Sequence, residues 1–431
     1  MYRYNAPTIT SAGPLTGGTF NAGQLTIVGS SFGFSNVTTV SFLINGVQTN
    51  CPISSSRFNH TFCVCDIPNG VGLNIPVTMD VSGATSSVLS FSYSPPTITS
   101  YSPSRISTAG NVPLTLFGTN FGSVVGSVSV NSNPCNVISW VDGTVAQVVC
   151  MPVAGQGLNK PISMTTLSGT FPTSTTLTVS YSPPTITNIS PPLGGTIGGT
   201  LLTISGSMFG TSGVVTIGGS QCQLSGNGWT DTSVQCSLPA GQGLNNVVTL
   251  TVGLVNGDQQ STTSTYSYAA PNITGISPAS LPAGSPLTIT GTDFGSNTAT
   301  AVYVGGLLCP MTPPAGSFSL RRIVCIMPQN TGIRMNVQMT VASQNSNIVQ
   351  VNYFPNITAV ISSTGAFPSN NKAGTVVLTV RGSNFGTSAQ TTSAITIGGV
   401  SCPRLSQTAI EMTCTMPSGS GVAWPLVVTV M

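Results

Sequence analysis

Three stretches of the chain alternate strictly between apolar and polar residues. Leu89, Phe91 and Tyr93 are separated by Ser90 and Ser92, Leu177, Val179 and Tyr181 by Thr178 and Ser180, and Val349, Val351 and Tyr353 by Gln350 and Asn352. A period of two marks a strand with one buried and one wet face. The pairs Gly218-Gly219, Gly305-Gly306 and Gly398-Gly399 mark tight turns between such strands. No helical period is sustained, so the pattern predicts an all-β chain.

The pattern also recurs at long range. LTIVGSSFG (25–33) returns as LTLFGTNFG (114–122), LTISGSMFG (202–210), LTITGTDFG (287–295) and LTVRGSNFG (378–386). Before each copy stands a proline-led strand start, at Pro7, Pro96, Pro184, Pro271 and Pro355, about 84 to 89 residues apart. That is the size of a β-sandwich of about seven strands and too long for a solenoid repeat. The expected layout is five sandwich modules, 7–95, 96–183, 184–270, 271–354 and 355–431. Residues 1–6 align with the end of a last strand, Phe91 to Pro96, and read as the tail of a preceding module. Module 5 reads as incomplete, without its last strand. Two readings follow: a segment of a longer array, or head-to-tail polymerisation in which the N-terminal strand of one chain completes module 5 of the next.

Neighbouring modules abut. Tyr-Ser-Pro-Pro runs straight into Thr-Ile-Thr at 181–187, with no flexible linker. Proline fixes its own φ and restricts the residue before it, which predicts stiff joints and a rod-like array. Strands of about eight residues span roughly 25 Å, so five modules end to end would exceed about 100 Å.

Cysteine usage changes the picture from fold to location. Eleven cysteines fall two per module with one over. Matching positions pairs Cys51 with Cys65, Cys135 with Cys150, Cys222 with Cys236, Cys309 with Cys325, and Cys402 with Cys414. Separations of about 12 to 16 residues suit a bridge within one hairpin, each worth about 3 kcal/mol in the chain-entropy model. Zinc is the competing use of paired cysteines, and it lacks both a Cys-x-x-Cys and companion histidines. Disulfides imply a secreted or cell-surface protein. Cys63 is left unpaired, with three options: pairing with Cys51 instead, staying buried and free, or bridging to another chain. Five sequons, at Asn36, Asn59, Asn188, Asn272 and Asn356, are candidates for N-linked glycans, which would hydrate a surface poor in charge.

Only 4% of residues are charged, against about 25% in ordinary soluble domains. A net charge of +3 leaves no basic footprint for nucleic acid. Arg321 and Arg322 are the only adjacent cations and read as a solvated strand end. The single histidine, His60, excludes a multi-histidine zinc site. The carboxylates Asp66, Asp80, Asp142, Asp231, Asp258, Asp293 and Glu411 are scattered singly, which suits neither calcium nor paired acid–base chemistry. No apolar run approaches the roughly 20 residues that span a bilayer. No cofactor and no catalytic residue is expected.

The ordered motifs resemble the IPT/TIG domain, the immunoglobulin-like fold of plexins, the hepatocyte growth factor receptor family, fibrocystin-like proteins and Rel-type transcription factors. They are Pro-x-Ile-Thr-x-Ile-x-Pro at Pro184 to Pro191 and Pro271 to Pro278, Gly-x-x-Phe-Gly at Gly206 to Gly210, Ile-Gly-Gly-x-x-Cys at Ile217 to Cys222, and Gly-x-Gly-Leu-Asn at Gly155 to Asn159 and Gly241 to Asn245. The second repeat departs with Val130-Asn-Ser-Asn-Pro-Cys135. The closing turn also departs, as Gly332-Ile-Arg334 in the fourth repeat and Gly421-Val-Ala423 in the fifth, so it is not one shared binding motif. The resemblance implies five tandem immunoglobulin-like β-sandwiches of the receptor and adhesion type. DNA-binding basic loops are missing.

Within that frame Gly29, Gly118, Gly206, Gly291 and Gly382 are expected at a bulge or tight bend, with Phe32, Phe121, Phe209, Phe294 and Phe385 as core anchors. Trp140 and Trp229 are expected to pack on their hairpins, with sugar stacking or partner contact as the alternative. The function expected is an extracellular structural rod that self-associates into a filament, sheath or adhesive stalk. A receptor or cell–cell adhesion ectodomain is the second reading, and an ancillary carbohydrate-binding array of a secreted enzyme the third.

Overall fold

The computed structural model describes residues 5–166, 177–253, 259–261, 263–296, 300–311, 318–330, 332, 334–365, 370–371, 376–386, 393–420 and 423–430. Asp258, residues 1–4 of the expected N-terminal tail, and Gly421 of the fifth closing turn lie outside them.

Module 1 sets the pattern. Its strands are β1 (Thr8–Gly13), β2 (Thr16–Gly17), β3 (Gln24–Ser30), β4 (Thr38–Ile44), β5 (Val47–Asn50), β6 (Ile53–Asn59), β7 (Phe62–Asp66), β8 (Ile75–Val81), β9 (Ala84–Thr85) and β10 (Leu89–Tyr93). One sheet has the order β1-β3-β7-β6 and the other β2-β10-β8-β4-β5, with β9 on β8. The first strand serves both sheets. β1 runs antiparallel to β3, the chain passes the cis bond Gly13-Pro14, and β2 then joins β10 in parallel. The same switch follows cis bonds at Ser102-Pro103, Ser190-Pro191 and Ser277-Pro278.

Modules 3 and 4 repeat both sheets. In module 2 the long strand Asn133–Val141 pairs with Ser127–Val130 and with Ala146–Pro152, which links the two sheets into one path. The Asn131-Ser132 departure still makes the hairpin turn, because both residues take the left-handed conformation that Gly218-Gly219 takes in module 3. In module 5, among the described residues, Leu426–Thr429 pairs with Ala394–Ile397 alone.

Each module encloses its own apolar core between the two sheets. The five phenylalanines are fully buried, as their recurrence implied. The glycine before each has a sharper reason than a bend. Strand β1 bulges between Ile9 and Ser11, which drives the Thr8 carbonyl toward Gly29, where a Cβ would lie 1.9 Å from its oxygen. The bulge thus sits on the partner strand, and the glycine is the gap it fills. A second device ties distant motifs together. The buried hydroxyls of Tyr93, Tyr268 and Tyr353 donate to the carbonyls of Pro68, Pro239 and Pro328, at 2.7, 2.9 and 3.0 Å. The last-strand tyrosine therefore anchors the loop that follows the second cysteine.

Candidate functional site: the module junctions

Side-chain hydrogen bonds cross every boundary between modules. Before each buried phenylalanine the backbone must reverse, so the preceding residue is forced into the left-handed region. Ser31, Asn120, Met208, Asp293 and Asn384 have φ of 64°, 59°, 61°, 62° and 61°. At the internal junctions this residue reaches back to the module before it.

Between modules 1 and 2, Asn120 Oδ1 accepts the Thr19 N–H at 3.3 Å, its Nδ2 donates to the Pro95 carbonyl at 3.4 Å, and Val71 packs on Gly122. Between modules 2 and 3, Thr108 donates its hydroxyl to Asp231 Oδ1 and lies 3.3 Å from the Met208 sulfur. The same Asp231 oxygen accepts the Gly210 N–H at 2.8 Å. Gln156 Oε1 accepts the N–H groups of Thr211 and Ser212, and Gln259, only 4% exposed, donates to the Tyr181 carbonyl at 2.7 Å while accepting the Gly157 N–H.

Between modules 3 and 4 the parts repeat. Asp293 Oδ1 accepts the Thr196 N–H at 2.8 Å, Gln242 Oε1 accepts the Ser296 N–H at 2.6 Å, and buried Gln344 donates to the Tyr268 carbonyl at 3.0 Å. Between modules 4 and 5, buried Asn384 donates to the Phe354 carbonyl at 3.1 Å. The first three junctions thus carry several hydrogen bonds, most of them between a side chain of one module and backbone of its neighbour, and the described residues of the fourth show one. Neutral bonds of this kind contribute about 1 kcal/mol each, and those to a carboxylate about 1.5–3.

The cysteines and sequon asparagines singled out in the sequence lie elsewhere, whereas Gln156, Gly157 and Gln242 of the Gly-x-Gly-Leu-Asn turns take part in the junctions. Cys51–Cys65, Cys135–Cys150, Cys222–Cys236, Cys309–Cys325 and Cys402–Cys414 are bonded, with Cα atoms 5.4 to 5.5 Å apart. Cys63 is a free, buried thiol opposite Ile27 on strand β3, and burial pushes it up to about 11. Asn36, Asn59, Asn188, Asn272 and Asn356 are all exposed. Asn59 accepts both the N–H and the hydroxyl of Thr61 within its own sequon. The Trp140 and Trp229 indoles donate to the carbonyls of Gly122 and Phe209 in their own modules, which accounts for both as packing residues. Arg321 and Arg322 are exposed at a strand start.

Asp231 and Asp293 appeared in the sequence only as scattered carboxylates. The signal available was their place: Asp293 occupies the variable position of the LTxxGxxFG repeat, directly before the phenylalanine. Among the described residues there is no cluster of three His, Cys, Asp or Glu side chains that could hold a metal, and no helix long and apolar enough to cross a membrane.

Tandem, disulfide-stapled immunoglobulin-like sandwiches clamped at their junctions define a modular protein of the extracellular type, since such disulfides persist in oxidising surroundings. The IPT/TIG domain family matches residues 96–181, 184–268, 271–353 and 359–431, and the chain belongs to that family. Module 1 carries the same strand order and motifs. Mouse (Mus musculus) Fibrocystin-L is 28% identical over 318 residues, and its human (Homo sapiens) counterpart is 27% identical over 311. These matches take in 71% and 68% of this chain but only 7% of each relative. Among solved structures, the plexin A4 extracellular region aligns at 15% identity over 98% of this chain and 43% of its own, with a TM-score of 0.22. The surface glycan-binding protein PbSGBP-B of Prevotella bryantii aligns at 13% identity over 50% of this chain and 65% of its own, with a TM-score of 0.30.

Proposed function

We propose that this chain is a non-enzymatic, extracellular structural protein: a stiff rod of IPT/TIG modules that serves in a cell-surface filament, sheath or adhesive stalk. The observation that carries this reading is the recurrence of the junction clamps. A string of independently tumbling domains has no use for buried Gln259 and Gln344, whose amides are spent on the preceding module's last strand. Side chains are ordered at an entropic cost there, and rigidity is what they deliver. The sparse charge lets neighbouring rods lie side by side without strong repulsion. The exposed sequon asparagines are proposed to carry glycans that hydrate the surface, and the module limits deduced from the repeat are proposed as the units of the rod.

Electron microscopy of the natively isolated protein tests this reading. Long uniform fibres, or extended rods of constant length, are expected. Collapsed beads with freely varying angles between modules would overturn it.

A further inference from the structure

Four of the five residues held in the left-handed conformation before a buried phenylalanine are Ser31, Asn120, Asp293 and Asn384. Their side chains are short and polar. Module 3 departs from this set, with Met208 at φ 61°. Asparagine and aspartate tolerate that conformation through local hydrogen bonds, whereas an unbranched thioether adopts it at a steric cost. What Met208 gains is a place in the joint. Its sulfur lies 3.3 Å from the Thr108 hydroxyl and 3.9 Å from the Ser107 hydroxyl, both of module 2.

The same Thr108 hydroxyl donates to Asp231 Oδ1, the bond that joins module 2 to module 3. A hydroxyl has one proton to give, and a thioether is a weak acceptor, so the carboxylate holds it. Thr108 is only 1% exposed. Met208 is half-buried, at the rim of the junction, unlike the core methionines Met79, Met164, Met339 and Met412, which are fully buried. A small oxidant in solution therefore reaches the Met208 sulfur without unfolding a module.

We propose that the Met208 thioether is an oxidation site, and that its conversion to the sulfoxide by a peroxide loosens the joint between modules 2 and 3. The sulfur lone pair attacks one peroxide oxygen, the O–O bond breaks, an S–O bond forms, and water or an alcohol leaves. Sulfur gives up two electrons and the peroxide takes them. The product is polar and bulkier than the thioether. Its oxygen is a strong acceptor beside Thr108, so it competes with Asp231 for the one hydroxyl proton. Whichever acceptor loses is left facing another electron-rich oxygen at a partly dry interface, where an unpaired polar group is costly. Asn120 and Asn384, at the same place in modules 2 and 5, contain no sulfur, so the joint after module 2 is the one this chemistry addresses. The proposal rests on the stiff-joint reading above and adds a means of regulating one joint.

The test uses the full, non-reduced chain with spin labels, carried on non-natural residues, at exposed Ile138 of module 2 and exposed Leu244 of module 3. Wild type, Met208→Leu and Met208→Asn are compared before and after dilute hydrogen peroxide. Asparagine is already accommodated at this position in modules 2 and 5, which guards against a variant that fails to fold. Peptide mass spectrometry should show Met208 gaining one oxygen ahead of Met79, Met164, Met339 and Met412. The distribution of label distances should be narrow in all three proteins at first, at least double in width in wild type as Met208 converts, and stay narrow in both variants. Met208 that remains a thioether while the core methionines oxidise, a distribution unchanged after its conversion, or variants that broaden as much as wild type would each overturn the proposal. A narrow distribution before and after conversion would leave the stiff-rod reading standing. A broad distribution in the untreated chain would remove that reading and this one with it.

Discussion

Thr108 of module 2 donates its hydroxyl to Asp231 of module 3, and the same carboxylate oxygen holds the Gly210 N–H at 2.8 Å. One atom therefore closes a turn in its own module and grips the neighbour. Thr108→Val, close to isosteric, and Asp231→Ala should be coupled by about 1.5–3 kcal/mol in a double-mutant cycle, as expected for a hydrogen bond to a carboxylate. Asp231→Ala should also broaden the distribution of angles between modules 2 and 3 in solution scattering. Additive effects and an unchanged scattering curve would show that this bond does not stiffen the joint.

A Cβ on Gly291 would lie 2.0 Å from the Asn272 carbonyl oxygen and would also meet the Phe294 ring. Backbone and a buried ring cannot both yield cheaply. Gly291→Ala should destabilise module 4 by about 3 kcal/mol, read as an early-melting unit in calorimetry, with the other modules little changed.

Burial pushes the Tyr353 phenol up to about 12 and the Tyr93 phenol higher still. In the unfolded chain these phenols titrate near 10. Below about pH 10 both states keep the proton, and the stability they contribute is fully present. As pH rises from about 10 toward 12 the unfolded state releases protons first, so stability falls. Melting temperatures measured from pH 8 to 12 should drop above pH 10, and Tyr353→Phe should soften the drop. A folded chain whose tyrosines all ionise near pH 10, followed by ultraviolet absorbance, would contradict this.

Cys63 is fully buried and its thiol is hard to ionise. A thiol reagent should leave the native, non-reduced protein unmodified and should label one site after denaturation. Cys63→Ser should cost module 1 about 1–3 kcal/mol, because the smaller hydroxyl needs a hydrogen bond in an apolar core. Rapid labelling of the native chain would place this thiol at the surface.

Much of the architecture can be read along the chain because its causes are local and repeated. Strict alternation at Leu89 to Tyr93 reappears as a strand with Phe91 and Tyr93 buried and Ser90 exposed. The recurring phenylalanine had to be core, since five modules share a fold and have no reason to share a ligand. The glycine three residues before it was legible as a constraint, whereas its reason, a carbonyl on another strand, was not.

What the sequence alone determined is the repeated unit: its β character, its length, its core positions and its oxidised setting. All of these follow from short-range pattern and from residues recurring at fixed intervals. Only the tertiary structure decided what Asp231, Gln259 and Asp293 do. Thr108 and Asp231 lie 123 residues apart in sequence, and no local rule joins them. Their meeting depends on how two finished sandwiches stack, and that geometry exists only once each core has closed and each left-handed turn has aimed its side chain at the module before it.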